Sequence, residues 1–355
     1  MDQRKIDLAN WARHQLIEMN PVSGIEVVLQ NLSGDASFRR YFRALLPGNS
    51  YVLVDAPPEK ENSRPFAAIA QSFRQAGLHT PEVLRADFEL GFLLLEDFGD
   101  QLYLPVLQQS ASDRRLTDSL YDAAINALVR LQSRHDRTIL PPYNRELLHR
   151  EMQLFEDWFC SRFLELDLNA TEKQLLAGCL RYLEDAALEQ TQVAVHRDYH
   201  SRNLMIVEDG SHKDIPGPGV LDFQDAVTGP YTYDLVSLLR DCYIKWPKDY
   251  VRTLALRYKL AAEQAGIIEN LGHTAFFHHF DLMGLQRHLK VIGIFARLSL
   301  RDNKPQYLAD IPLVIEYFLE VAGQYRELAE FVAWFETVVM PRARSRLPAG
   351  TACAQ

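Results

Sequence analysis

Val193-Ala194-Val195-His196-Arg197-Asp198-Tyr199-His200-Ser201-Arg202-Asn203 is the stretch on which the fold turns. An apolar run enters a polar loop that carries Asp198 and, five residues later, Asn203. Leu204-Met205-Ile206-Val207 reads as a strand and Glu208 to Gly219 as a Gly/Pro-rich turn. Val220-Leu221 returns and ends on Asp222-Phe223. The spacing predicts a hairpin with Asp198, Asn203 and Asp222 at one end. Phosphoryl transfer asks for such a set. One carboxylate orients the attacking hydroxyl and accepts its proton, while a second carboxylate and an amide oxygen hold magnesium against phosphates. If Asp198 and Asn203 only capped a turn, Asp222 on the returning strand would be unexplained.

Upstream the pattern changes. Asp2 to about Met19 reads as a short amphipathic helix. Ile25 to Leu29, Phe38 to Leu46 and Tyr51 to Val54 read as strands separated by turns, including Pro47-Gly48-Asn49-Ser50. Phe66 to Ala76 reads as a helix, and Val83 to Ala86 and Gly91 to Glu96 as two more strands. Successive strands with tight turns predict an antiparallel sheet. Beyond Gly99 helical spacing takes over: Leu116, Leu120, Ala124, Ala127, Leu128 and Leu131, then Leu175, Leu176, Cys179, Leu180 and Leu183 behind a Thr171/Gln174 capping box. The chain from about Asp234 to Phe335 is again mostly helical, and residues 341–355 read as a flexible tail.

Composition narrows the classes. The chain has 355 residues and a net charge of −9, from 38 Lys plus Arg against 47 Asp plus Glu. An acidic total argues against a general nucleic-acid binder. Cys160, Cys179, Cys242 and Cys353 form no CxxC, which argues against a zinc site and for reduced thiols. No apolar signal segment and no run of 18 uncharged apolar residues is present. A cytoplasmic protein is expected, with no membrane partner.

His-x-Asp-x-x-x-x-Asn followed by Asp-Phe resembles the catalytic and metal loops of kinases. His200, two places after Asp198, and Asp222-Phe223-Gln224 resemble the aminoglycoside phosphotransferase family. The resemblance implies an α+β, two-lobed protein-kinase-like fold that uses ATP and Mg2+. A small antiparallel β-rich lobe over residues 1–99, with a hinge at 94–99, would precede a larger helical catalytic lobe over 100–340. It also implies Asp198 as catalytic base, Asn203 and Asp222 as metal ligands, and His196 and Asp234 as braces of the catalytic loop. Ser33-Gly34-Asp35-Ala36-Ser37 would lie over the nucleotide phosphates, and backbone groups near Glu96 and Phe98 would meet the adenine. Kinases carry Lys after the apolar run of the third strand, where this chain has Asp55. Arg43 or Lys60 is the expected substitute.

The acceptor side is read from Gln286 to Arg301. Arg287, Lys290, Ile294, Arg297 and Arg301 recur on one helix face, a cationic stripe in an acidic protein. A cationic aminoglycoside would want the opposite sign. The chain also resembles a narrower group, the anomeric kinases of bacterial cell-wall recycling. These phosphorylate N-acetylmuramate and N-acetylglucosamine at the anomeric hydroxyl. The matching stretches are Gly34 to Tyr41, Asp55 to Glu59, His196 to Asn203, Leu221 to Ala226 and Gln286 to Lys290. Arg287, His288, Lys290 and Arg297 are the substrate candidates, with the lactyl carboxylate of N-acetylmuramate as their partner. Two alternatives stand beside this reading. One is a kinase of the same fold acting on an aminoglycoside, choline or homoserine; the other is a non-catalytic nucleotide-binding scaffold.

Overall fold

The computed structural model describes residues 2–19, 27–32, 38–207 and 217–348. Helix α1 (Gln3–Met19) precedes strands β1 (Val28–Leu32), β2 (Arg40–Leu46) and β3 (Asn49–Asp55). Helix α2 (Ser63–Gln75) then leads to β4 (Val83–Asp87) and β5 (Phe92–Glu96). The strands form one sheet in the order β1-β2-β3-β5-β4, antiparallel throughout. β2 and β3 pair from Leu46↔Asn49 to Arg40↔Asp55, closed by a two-residue turn in which Gly48 takes φ 83. A glycine suits that left-handed position.

Side chains alternate across a strand, so the register assigns each residue a face. Phe42, Ala44 and Leu53 bury against Leu8, Ala12 and Leu16 of α1. Tyr41, Val52 and Val54 pack on the other side, with Phe66, Ile69 and Phe73 of α2. Asp55 belongs to the α1 face. It is fully buried and bound by Arg4 and Arg40. That overturns the comparison that made Asp55 a replaced lysine, since its carboxylate lies behind the sheet, where it neutralises two arginines.

After β5 the chain runs through α3 (Tyr103–Gln109), α4 (Arg114–Arg134), α5 (Arg145–Leu154), a π-helical continuation (Phe155–Phe163) and α6 (Ala170–Leu188). The ladders β6 (Gln192–Val195) with β9 (Val227–Pro230), and β7 (Leu204–Met205) with β8 (Gly219–Val220), frame the catalytic loop. Helices α7 (Tyr233–Leu239), α8 (Lys248–Gln264), α9 (His273–Asp302), α10 (Ile311–Ala322), α11 (Ala329–Trp334) and α12 (Met340–Arg346) complete the larger lobe. The 30-residue α9 packs against α5, α6, α7 and α10. Gly293 permits its contact with α5, since a Cβ there would stand 2.3 Å from the Leu154 backbone carbon.

Two expectations shift. The cap of α6 is Asn169, not Thr171. Its side chain accepts from the Thr171 and Glu172 amides while Glu172 returns a bond to the Asn169 N–H, because Asn169 places the glutamate at the third helical position. Part of the expected tail is helix α12, pinned by buried Ala343 and by Arg346, which donates to the Phe163 carbonyl at 2.6 Å.

Candidate active site

The catalytic loop leaves β6 at His196 and is fixed through its backbone. Asp234, in the first turn of α7, accepts the His196 N–H at 2.7 Å and the Arg197 N–H at 3.0 Å. Arg197 can then hold φ 78, which turns the chain sharply into the loop. Burial pushes the Asp234 carboxyl up to about 7, against the pull of those two donors. His196 is fully buried; its Nε2–H donates to the Leu221 carbonyl at 2.9 Å and its Nδ1 accepts the Asp198 N–H at 3.3 Å. Burial lowers its pKa to about 4, so it is a neutral brace between the two arms of the hairpin. Farther along, Asp241 accepts from both the Ser201 N–H (3.0 Å) and hydroxyl (2.5 Å).

Asp198, Asn203 and Asp222 converge as the spacing predicts. The Asn203 Nδ2 donates to the Asp198 carbonyl at 3.0 Å and lies 3.5 Å from Asp222 Oδ2. The Leu221 N–H donates to the Asn203 carbonyl at 2.9 Å, which locks the returning strand beside the loop. Asp222 takes φ 62, and its Oδ1 accepts from Gln224 at 2.7 Å. The left-handed backbone of a non-glycine residue at this point is a local cost retained at the site.

The walls around Asp198 are cationic. Its side chain keeps 42% exposure, while Arg287, 2% exposed, brings Nη2 to 3.9 Å of Oδ1. Burial alone would raise the Asp198 carboxyl; Lys290, His200, Arg287 and Arg197 outweigh it and hold the group down at about 2. Lys290 is itself held by Glu151 (3.2 Å) and by the Tyr233 hydroxyl (2.9 Å). Buried Glu151 also binds Arg197 and accepts from the Tyr143 hydroxyl. Glu151 was missed in the sequence. Its only signal is a carboxylate on the apolar face of α5, between Leu148 and Phe155 at helical spacing.

Other candidates go elsewhere. His288 is buried and stacks on Tyr317, with ring centroids 5.5 Å apart. Burial drives its pKa well down, so it is a neutral core residue rather than a substrate contact. Arg297 lies ten residues beyond Arg287, about 15 Å farther along the helix axis. Arg43 points to the hinge and is saturated there. It binds Asp97 at 2.6 and 3.0 Å, Asp100 at 2.7 and 2.9 Å, and the Gly99 carbonyl at 2.8 Å. The Lys60 ammonium sits 4.9 Å from the Phe38 ring centre. At the hinge, the Glu96 carboxylate binds Arg74, His79 and the Glu82 N–H, and its own N–H donates to the Glu82 carbonyl at 3.0 Å. Phe98 packs edge-on to His79 at 4.7 Å, and Gly219 makes room for it, since a Cβ there would stand 2.6 Å from the ring. Ser33, Gly34, Asp35, Ala36 and Ser37 lie outside the described residues.

The donor set suits a hard divalent cation. Nδ2 of Asn203 is committed to the Asp198 carbonyl and faces the exposed Asp222 carboxylate, which leaves the amide oxygen as the group free to accept a cation. Among the described residues no group of three or more His, Cys, Asp or Glu forms an all-protein metal cage. A carboxylate and an amide oxygen, completed by water and phosphate oxygens, satisfy magnesium.

Residues 28–269 match the phosphotransferase enzyme family. The chain is 45% identical over 298 residues to an N-acetylmuramate/N-acetylglucosamine kinase of Pseudomonas putida, covering 84% of each. It is 40% identical to a protein of the same name from Neisseria meningitidis, covering 93% of this chain and 95% of that one. Among solved structures, an ADP-bound aminoglycoside phosphotransferase superposes with a TM-score of 0.55 at 15% identity, over 86% of this chain and 98% of that one. A choline/ethanolamine kinase family protein from Mesorhizobium loti gives 0.57 at 16% identity, over 96% and 98%. These two likenesses are of fold.

Proposed function

The chain belongs to the phosphotransferase enzyme family, and on that premise we propose that it is an ATP-dependent sugar kinase. It transfers the γ-phosphoryl group to the anomeric hydroxyl of N-acetylmuramate or N-acetylglucosamine, a step of peptidoglycan recycling in the cytoplasm. The observation that carries this reading is an ionised, partly open Asp198 carboxylate beside the Asn203–Asp222 pair. The names of relatives at 40 and 45% identity supply the acceptor class. Among the described residues no helix is long and apolar enough to cross a membrane.

In this reading the acceptor hydroxyl donates to Asp198, which orients the oxygen for in-line attack and takes the proton late in the transfer. Cations around Asp198 make it a weak base, and that suits an anomeric hydroxyl, which is more acidic than an ordinary alcohol. His196 and Asp234 hold the loop so that Asp198 needs no rearrangement at the moment of reaction. The Asn203 amide oxygen and the Asp222 carboxylate would hold magnesium, whose charge offsets that on the nucleotide phosphates. Arg287 Nε and Nη1 have no hydrogen-bond partner among the described residues. A guanidinium beside Asp198 suits an anionic substituent such as the lactyl carboxylate.

An acceptor panel with ATP and magnesium tests the assignment. Turnover with the two amino sugars, and none with choline, homoserine or kanamycin, is expected. Preference for any of the last three acceptors would replace the sugar reading with a different alcohol kinase of the same fold. Absence of acceptor-dependent ATP turnover would favour the scaffold.

A further inference from the structure

Asp55 lies behind the sheet and Arg43 is locked to the hinge, so neither offers a cation to the nucleotide phosphates. The two-residue period of β2 shows where one stands. Tyr41 lies opposite Val54, on the face that packs toward α2 and the larger lobe. Arg39, two residues before Tyr41, falls on that same face. It directly follows the loop expected over the phosphates, whereas Arg43 sits four residues on, at the hinge end.

The guanidinium of Arg39 is positioned by a carboxylate and an aromatic ring. Its Nη2 lies 3.3 Å from Glu61, just ahead of α2, and its side chain is 10% exposed. Glu61 also accepts the Phe38 N–H at 3.2 Å, so one carboxylate steadies both the strand entry and the arginine. The guanidinium carbon sits 5.5 Å from the centre of the Phe66 ring, and Phe66 packs on Phe223 at 4.9 Å. Phe223 is the residue after Asp222. Two packed rings, tilted by 30°, thus lie between Arg39 and the metal loop.

We propose that Arg39, oriented by Glu61, binds the α- and β-phosphates of the nucleotide in place of a third-strand lysine. The inference rests on the kinase reading above and names the residue of that site which the family pattern leaves blank. A guanidinium is always charged and planar, a form that binds carboxylate and phosphate oxygens alike. Neighbouring Arg40 has equal charge and a different fate. It crosses to the α1 face and binds Asp2 and Asp55.

Calorimetric titration of the full chain with ADP plus magnesium, and separately with adenosine, tests this. Arg39→Ala should weaken ADP roughly ten- to hundredfold, as expected for loss of charge-assisted bonds, and leave adenosine unchanged. Arg39→Lys should keep part of the ADP affinity, and Arg40→Ala should change neither ligand. Melting without nucleotide checks the fold of each variant, and Arg39→Gln serves if the alanine variant does not fold. Unchanged ADP affinity, or equal losses for ADP and adenosine, would overturn the assignment. A wild-type chain that bound no ADP at all would sink the kinase reading with it.

Discussion

The catalytic loop and strand β2 carry their charges in opposite ways. In the loop, position comes from the backbone. Asp234 grips two consecutive amides and Asn203 grips the Asp198 carbonyl, so the six-residue segment has one way to present its carboxylate. Along β2 and at the residue just before it, position comes from the face. Arg39, Arg40 and Arg43 stand within five residues and reach three destinations: Glu61, the Asp2–Asp55 pair behind the sheet, and the hinge aspartates. A contiguous motif states its geometry in its spacing. A cation on a strand states it only once the register and the partners are known.

The contrast breaks first at Asp198. If the loop exists to present that carboxylate, Asp198→Asn should cut sugar-dependent turnover by about 10²–10⁴-fold, the usual range for loss of a general base. ADP binding and melting temperature should stay near wild type. Near-normal turnover in the variant would show that the loop geometry serves something other than proton acceptance.

Arg287→Gln sharpens the electrostatic half. With Asp198 held at about 2, the base stays ionised down to mildly acidic pH, and its proton uptake begins only as pH falls toward that value. Removing Arg287 should move the acid limb of kcat/KM upward by on the order of one pH unit. It should also cost N-acetylmuramate roughly tenfold more than N-acetylglucosamine if its guanidinium meets the lactyl carboxylate. An unmoved acid limb would assign the depression to Lys290 and His200 instead. Equal losses for the two sugars would remove the carboxylate contact.

The smallest effect on activity is expected at Arg43. Arg43→Ala leaves the buried Asp97 carboxylate without its partner, at a cost of about 3 kcal/mol in stability. Thermal denaturation should register the loss, while the apparent constant for ATP stays close to wild type. A large rise in that constant with unchanged melting would return Arg43 to the phosphates.

The same contrast explains what the sequence made legible. The hairpin triad of Asp198, Asn203 and Asp222 and the order of sheet before helices follow from local spacing and period, while the braces His196 and Asp234 follow from the family resemblance. Glu151 and Asp241 stayed hidden because their partners lie far off in sequence, with Glu151 46 residues before Arg197 and Asp241 40 after Ser201. His288 and Arg287 are adjacent in sequence yet diverge by about 100° around α9. One faces Asp198 and the other stacks under Tyr317, so two substrate candidates adjacent in sequence do not share one site. The absent lysine misled because Asp55 was compared by order along the strand and not by face.

The position of the transferred phosphoryl group identifies the acceptor hydroxyl. Wild-type protein, ATP, magnesium and N-acetylmuramate should yield a product whose phosphorus resonance couples to the anomeric proton, the mark of a sugar 1-phosphate. Coupling to the protons of the primary carbon would put the phosphate on another hydroxyl and contradict the reading of Asp198 as a weak base matched to an acidic acceptor.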